Sequence, residues 1–439
     1  MTQESRAVRA LVLSLVATLA ARAGAQPTTR PAATTRAAAF EVHEWVILVS
    51  DPFQPQANGV KLLGRTTLPQ AVDSRRERAP TTQQADPCPV GVIRVVGAGE
   101  GTEKIDMRLG VTGGRVLSHW PKAQARASSV LWQDTGLSRE PARLDPLPQE
   151  NWLATLRGGT SAYLTSEGRS ERFLLYDVEL NYALPLKLAG GATADAPVQL
   201  ANAGTVALHD VVLYRRDGAG WRTASLAQLP PGRDPPPDKK SATAPWKVDE
   251  VFESAAVSTT SPATSPATAP TTQPTTQPLG VDPSRVREVQ LAAVPATSAS
   301  EVLADWRSRL GGLGLVTDDH AVITKILELQ ALDPQRLTVI YRLDEAELDR
   351  LLPLEVSPTP ARTVRVGLVV AKNIDPVMPA EVDRLVTQLG DPDWRARERA
   401  SQALNALGPA ARTQLQAATK HADAEIAIRA ERLLASMDK

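Results

Sequence analysis

In the first half of the chain the apolar positions fall in short blocks separated by glycine, aspartate and proline; only in the second half do they take helical spacing. Phe40 to Val49, FEVHEWVILV, reads as a strand, and Val92 to Val96 as another. From Ile105 to Val111 apolar and polar residues alternate with period two. A return run from Arg115 to Trp120 follows Gly113-Gly114, so a β-hairpin is expected there. Further strands are expected around Val130 to Trp132, Ser161 to Thr165 and Val206 to Tyr214, the last turning at Asp217-Gly218 into Trp221. Apart from the N-terminus, the densest apolar and aromatic run is Glu171 to Leu188, ERFLLYDVELNYALPLKL. Phe173 to Val178 reads as buried strand, and Pro185 confines the second half to an edge or a strand start. Short strands joined by Gly and Asp turns predict a mainly antiparallel β-sandwich over residues 39–229.

The pattern changes twice more. From Pro230 onward the composition collapses to Pro, Thr, Ser and Ala, with SPATSPATAP and TTQPTTQP as short repeats, so residues 230–281 form a spacer interrupted by Trp246, Val251 and Phe252. Residues 282–378 read as an α+β segment. Ser298 and Glu301 form a capping box ahead of a helix to about Leu310, and Thr317 starts a second helix. A short helix at Asp344 to Leu352 separates strands at Leu337 to Leu343 and Thr363 to Ala371, which can extend the first sheet. Over residues 379–439, Ala396, Ala400, Ala403, Leu404 and Leu407 recur 30 positions later as Ile426, Ala430, Leu433, Leu434 and Met437. Each set lies on one helical face. Leu385 and Leu415 repeat at the same offset, and four helices in two hairpins are expected.

Leu389 to Gly408 resembles the bacterial HEAT-like pattern L-G-D-x-D-x-x-x-R-x-x-A-x-x-x-L-x-x-L-G, and the resemblance implies a surface for protein contact rather than catalysis. Two such units are fewer than a free-standing stack needs. The hairpins must therefore lean on the α+β segment or on a partner. Trp394 and Arg395, off the repeated apolar face, are the candidate contact residues.

Composition narrows the function. Lys plus Arg equals Asp plus Glu at 49 each, so no global field draws the chain to nucleic acid or an anionic membrane. The first residues read as a secretory signal peptide over 1–25: Arg6 and Arg9, apolar Ala10 to Ala21, then Ala23-Gly24-Ala25. As a helix that apolar stretch reaches only about 18 Å, against a hydrocarbon core of about 30 Å. Residues 26–38 form a Thr/Pro tether. Cys88 is the single cysteine, so no intramolecular disulfide is available.

Candidate chemistry is sparse. His43 and Glu44 leave opposite faces of a strand and cannot both ligate one ion without a bulge. Asp318, Asp319 and His320 suit a plain helix start. No catalytic, cofactor-binding or metal-binding residues are assigned. The body resembles a group of exported bacterial proteins of unknown function, through Phe40 to Trp45 (FEVHEW), Trp120-Pro121 with Trp132, Glu171 to Tyr176 (ERFLLY), Leu351 to Leu354 (LLPL) and Arg365-Val366. The expectation is an exported, non-enzymatic protein-binding or scaffold protein of the periplasm or extracellular space. The alternatives are a hydrolase of an extracellular polymer, which would bring histidines and carboxylates into one cleft, and a carbohydrate binder or adhesin, which would expose two or more of Trp120, Trp132, Trp152 and Trp221 on one surface.

Overall fold

The computed structural model describes residues 40–50, 60–61, 90–97, 103–144, 153–159, 161–166, 168–190, 196–217, 220–234, 281–295, 298–331, 337–372 and 374–437. The expected signal peptide and tether of residues 1–38, Cys88, Trp152 and residues 235–280 of the expected spacer lie outside them.

The strand Glu41–Ser50 is the middle of the molecule. Along its whole length it pairs in parallel with Arg362–Ala371, from Glu41 opposite Arg362 to Ser50 opposite Ala371. Its other edge pairs antiparallel with Gly91–Val96. Every residue from Val42 to Ser50 is buried, as expected of a strand covered on both faces. Around it runs a mixed sheet of ten strands among the described residues. Thr338–Arg342, Leu208–Asp217, Gly220–Leu229 and Ala292–Val294 extend it on one side; Val60–Lys61, Leu174–Leu180, Gly91–Val96 and Gly114–Trp120 complete the other. The two strands expected at Leu337 to Leu343 and Thr363 to Ala371 thus extend the first sheet, together with Ala292–Val294. The expected antiparallel arrangement holds for its other pairings and fails at its centre. A parallel pair needs a long crossover, and here that crossover is nearly the entire intervening chain.

A second sheet contains Leu354–Ser357, Glu103–Gly110, Ser129–Ser138, Tyr163–Ser166 and Arg169–Glu171, with Gln124–Arg126 paired to Ser129–Ser138. The hairpin expected at Gly113-Gly114 does not form. Glu103–Gly110 pairs with Ser129–Ser138 and Leu354–Ser357, whereas Gly114–Trp120 pairs with Leu174–Leu180 in the main sheet. The alternating run and the return run were both correctly placed as strands, but their partners were decided elsewhere. At the turn Val111 N donates to Ser128 O and Thr112 N to Leu351 O, and these bonds hand the chain from one sheet to the other. A small third sheet joins Leu186–Gly190, Val198–Asn202 and Arg287–Val289, and Pro185 does sit just before the first of these, an edge strand.

Helices Ala299–Val302, Ala304–Gly312 and Thr317–Ala331 supply apolar side chains to one continuous core with the main sheet. Trp306, Leu310, Ile323 and Ile326 meet Trp45, Ile47, Val212, Val366 and Leu368 there. Both bonds of the Ser298–Glu301 capping box are made. Asp319 is fully buried and paired to Arg94 of Gly91–Val96, with Arg94 Nε donating at 2.8 Å to each carboxylate oxygen. Arg94 Nη1 also donates to Ser161 Oγ at 3.1 Å. This pair locks the segment after the spacer onto a strand that precedes it. Removing one member of such a pair strands a buried charge.

The C-terminal region is helical: Met378–Gln388, Trp394–Leu407, Arg412–Ala418 and Ala424–Met437. Val382, Leu385, Leu404, Leu415, Ile426 and Ala430 close a core of their own. The link to the sheet is polar. Asp375 accepts from Arg215 at 3.2 Å and from Val377 N at 3.1 Å, so one carboxylate both ties the region to Leu208–Asp217 and turns the chain just ahead of the first helix.

The spacer leaves and returns at one place. Arg285 donates to Asp234 Oδ1 and to Pro231 O, each at 3.0 Å, and Gly232 N donates to Gly204 O at 3.1 Å. Replacing residues 235–280 by a short Gly/Ser linker should therefore leave the fold intact and raise its stability by roughly 2 kcal/mol or less, through the smaller entropy of closing a shorter loop. Urea unfolding of the two forms checks this; a lower midpoint for the shortened chain would contradict it.

Candidate functional site

Three places could carry function: the polar residues of the FEVHEW, ERFLLY and LLPL segments, a surface cleft, and the helical region.

The motif residues converge, but in the interior. Glu44 is fully buried and accepts from Tyr176 Oη at 2.6 Å and from Arg365 Nε. Arg365 also donates to Asp349 and, at 2.6 Å, to the carbonyl of Leu352, so the LLPL segment is drawn into the same cluster. Strand register makes this possible, because Glu44 stands directly beside Arg365 in the parallel pair. Tyr176 reaches Glu44 by lying across Gly91, where a Cβ would meet its ring at 2.0 Å. A side chain at that position would displace the ring. Burial, reinforced by the charge of Glu44, holds the Tyr176 hydroxyl well above the usual phenol range, so it stays protonated and donates.

A second cluster forms around Glu171, also fully buried. It accepts from Trp120 Nε1 at 3.1 Å, Arg157 Nη2 at 2.7 Å and Arg172 N at 2.9 Å. Arg172 in turn caps the carbonyls of Ser161, Arg157 and Gly159. Trp132 Nε1 donates to Pro121 O at 3.1 Å. Glu44, Glu171, Tyr176, Arg365, Trp120 and Trp132 thus find their partners inside the fold, whereas Trp45 Nε1 and His43 Nδ1 are buried without one. Buried charged groups demand such satisfaction, and the carboxylates of Glu44 and Glu171 have it.

The cleft, of about 240 Å³, is lined by Asn181, Tyr182, Thr205, Asp344, Glu347 and Arg350 among others. Its charged groups are already engaged. Asp344 Oδ1 accepts from Ala346 N as the cap of helix Glu345–Leu351, while Oδ2 lies 3.2 Å from His209 Nε2. Both oxygens of Glu347 accept from Arg350, at 2.8 and 2.6 Å. The Tyr182 hydroxyl, pushed up to about 12 by burial, stands 3.5 Å from that of Tyr341.

The histidines do not gather. His43 lies 3.1 Å from Glu41 on its own strand, His209 beside Asp344, and His320 next to the carbonyl of Leu315. His119 stands edge-on to Trp132, with burial lowering its pKa. Only His209 meets a carboxylate at the cleft. Among the described residues no group of three or more His, Cys, Asp or Glu could hold a metal ion, and Asp319 turns from Asp318 and His320 toward Arg94. Nor do the described residues form a tryptophan platform: Trp120, Trp132 and Trp221 are buried, and Trp152 lies outside them. No helix of the described residues is long and apolar enough to cross a membrane.

Trp394 and Arg395 open the helix Trp394–Leu407, whose cap is Asp393 accepting from Arg395 N at 3.0 Å. Both side chains face solvent, and Trp394 is 61% exposed. Sequence reasoning had no signal for Arg94, Asp319 or Arg365 as partners, because pairing across more than two hundred residues leaves no local pattern. No protein-family model matches the chain, and no curated protein matches it either.

If the Glu44 cluster is structural, its loss should appear as stability. Tyr176→Phe, which removes one donor to a buried carboxylate, should cost about 1–3 kcal/mol. Glu44→Ala, which leaves Arg365 without its buried counter-charge, should cost about 3–5 kcal/mol. Chemical denaturation measures both; wild-type stability in Glu44→Ala would show that the carboxylate is not part of the frame.

Proposed function

We propose that the protein is exported and acts as a non-enzymatic scaffold, its sandwich-like β body supporting a HEAT-like pair of helical hairpins that bind another polypeptide of the cell envelope. The observation that carries this is Trp394. Among the described residues it is the most exposed large apolar side chain, beside the exposed Arg395 at the start of a helix. Tryptophan and arginine are the residue types most enriched where binding energy concentrates. Folding gains nothing from leaving a tryptophan in water, whereas a partner gains from covering it. Export rests on the basic, apolar and small-residue succession over residues 1–25.

The mature protein, beginning at Gln26, should be recovered outside the cytoplasm and should capture a specific protein from an envelope extract. Trp394→Ala together with Arg395→Ala should reduce that capture by about tenfold or more while leaving the unfolding midpoint unchanged. Retention of the leader, or equal capture by the doubly substituted protein, would overturn the proposal.

A further inference from the structure

The two helical hairpins show how a neighbour packs on them, because one is the neighbour of the other. The second helices of the two units meet through Arg397 and Glu425 at 3.4 Å, Glu398 and Arg429 at 3.8 Å, Ser401 and Arg429 at 3.3 Å, and Asn405 and Ser436 at 3.1 Å. The rear face of the first unit is therefore the row Arg397, Glu398, Ser401 and Asn405, and the front face of the second is Glu425, Arg429 and Ser436.

Advancing the rear row by the 30-residue repeat gives Ala427, Ile428, Glu431 and Ala435 on the second unit. Moving the front row back by 30 gives Arg395, Arg399 and Ala406 on the first. Neither row is covered. Ile428 is 46% exposed, and Glu431, Ala435, Arg395, Arg399 and Ala406 all face solvent. The rear row is also less polar than its counterpart in the first unit, with Ala, Ile, Glu and Ala where that unit has Arg, Glu, Ser and Asn. A stack that ends in water carries a polar outer face, and this one does not.

We propose that the occupant is a second copy of this chain, whose helical region stacks head to tail on the first. The proposal rests on the binding role given above to that region, and names its partner. Charge complementarity selects this occupant. In the intramolecular contact Arg429 sits over Ser401 and Glu398. Its equivalent on the front face is Arg399; the equivalents of Ser401 and Glu398 on the rear face are Glu431 and Ile428. Docking the front of one copy on the rear of the next therefore sets Arg399 against Glu431, lays the arginine stem over Ile428, and places Arg395 at the rim. Such a contact is heterologous: each copy offers one face and keeps the other, so assembly does not stop at two.

The test is the concentration dependence of mass for the mature full chain, by sedimentation or light scattering, with charge reversals. Wild type should grow past the dimer as concentration rises. Arg399→Glu alone brings two carboxylates together across the contact, and Glu431→Arg alone brings two guanidinium groups together; each should weaken association by about tenfold or more. Mixing the two variants should restore it, because each front then meets a rear of opposite charge. Recovery on mixing also shows that both variants are folded. A wild-type chain that stays monomeric, or association indifferent to both reversals, overturns the inference. If the chain is monomeric yet still captures an envelope protein through Trp394, the scaffold role stands and only self-stacking is lost.

Discussion

The structure depends on one buried contact between the start and the end of the body. Glu44 and Arg365 lie side by side on the parallel pair of strands, and Tyr176 closes the carboxylate from a third strand. Taking such charges out of water is expensive, and their attraction repays the cost only when the geometry is right and the remaining lone pairs are bonded. Both conditions are met here: each Glu44 oxygen has a donor, and Arg365 finds further acceptors at Asp349 and Leu352. The cluster therefore does more to define which strand lies beside which than to add net stability. A hydrophobic pair could slip in register; this one strands a charge if it does.

The same logic explains how a chain interrupted by a long Pro/Thr/Ser stretch has one body. Residues on the two sides of the spacer share a sheet, share a core with the helices Ala304–Gly312 and Thr317–Ala331, and are joined a second time by Arg94 and Asp319. Arg285 holds the spacer's exit and return together. The C-terminal helices are different in kind. They have a core of their own, and Asp375 bonds them to Leu208–Asp217.

Much of this was legible in the sequence, and the failures have a common cause. FEVHEWVILV, the run from Phe173 to Val178, the Ser298 capping box and the 30-residue repeat all announce local structure through spacing, and each forms the expected element, except that the helix after Ser298 breaks at Leu303 into Ala299–Val302 and Ala304–Gly312. Pairing is not local. Gly113-Gly114 between alternating runs looked like a hairpin, yet the two strands enter different sheets, because the bonds at Val111 and Thr112 go to Ser128 and Leu351. The central parallel pair was equally hidden, since nothing in residues 41–50 indicates a partner more than three hundred positions away. Of the site, the exposed Trp394 and Arg395 could be picked out by their place off the repeated face. The buried role of Glu44 was visible only as a polar residue in an apolar strand, and Asp319 resembled a helix-start acid until its partner was seen.

If the buried contact governs the body as described, Glu41–Ser50 and Arg362–Ala371 are one cooperative unit. Native-state hydrogen exchange of the backbone amides from Val46 to Val49 and from Leu368 to Val370 tests this most directly. The two sets are expected to be among the slowest in the protein, to exchange with the same opening free energy, and to share the denaturant dependence of global unfolding. Exchange of the Leu368 to Val370 set through a smaller opening, with the Val46 to Val49 set still protected, would show that the end of the body is an appendage rather than half of its centre.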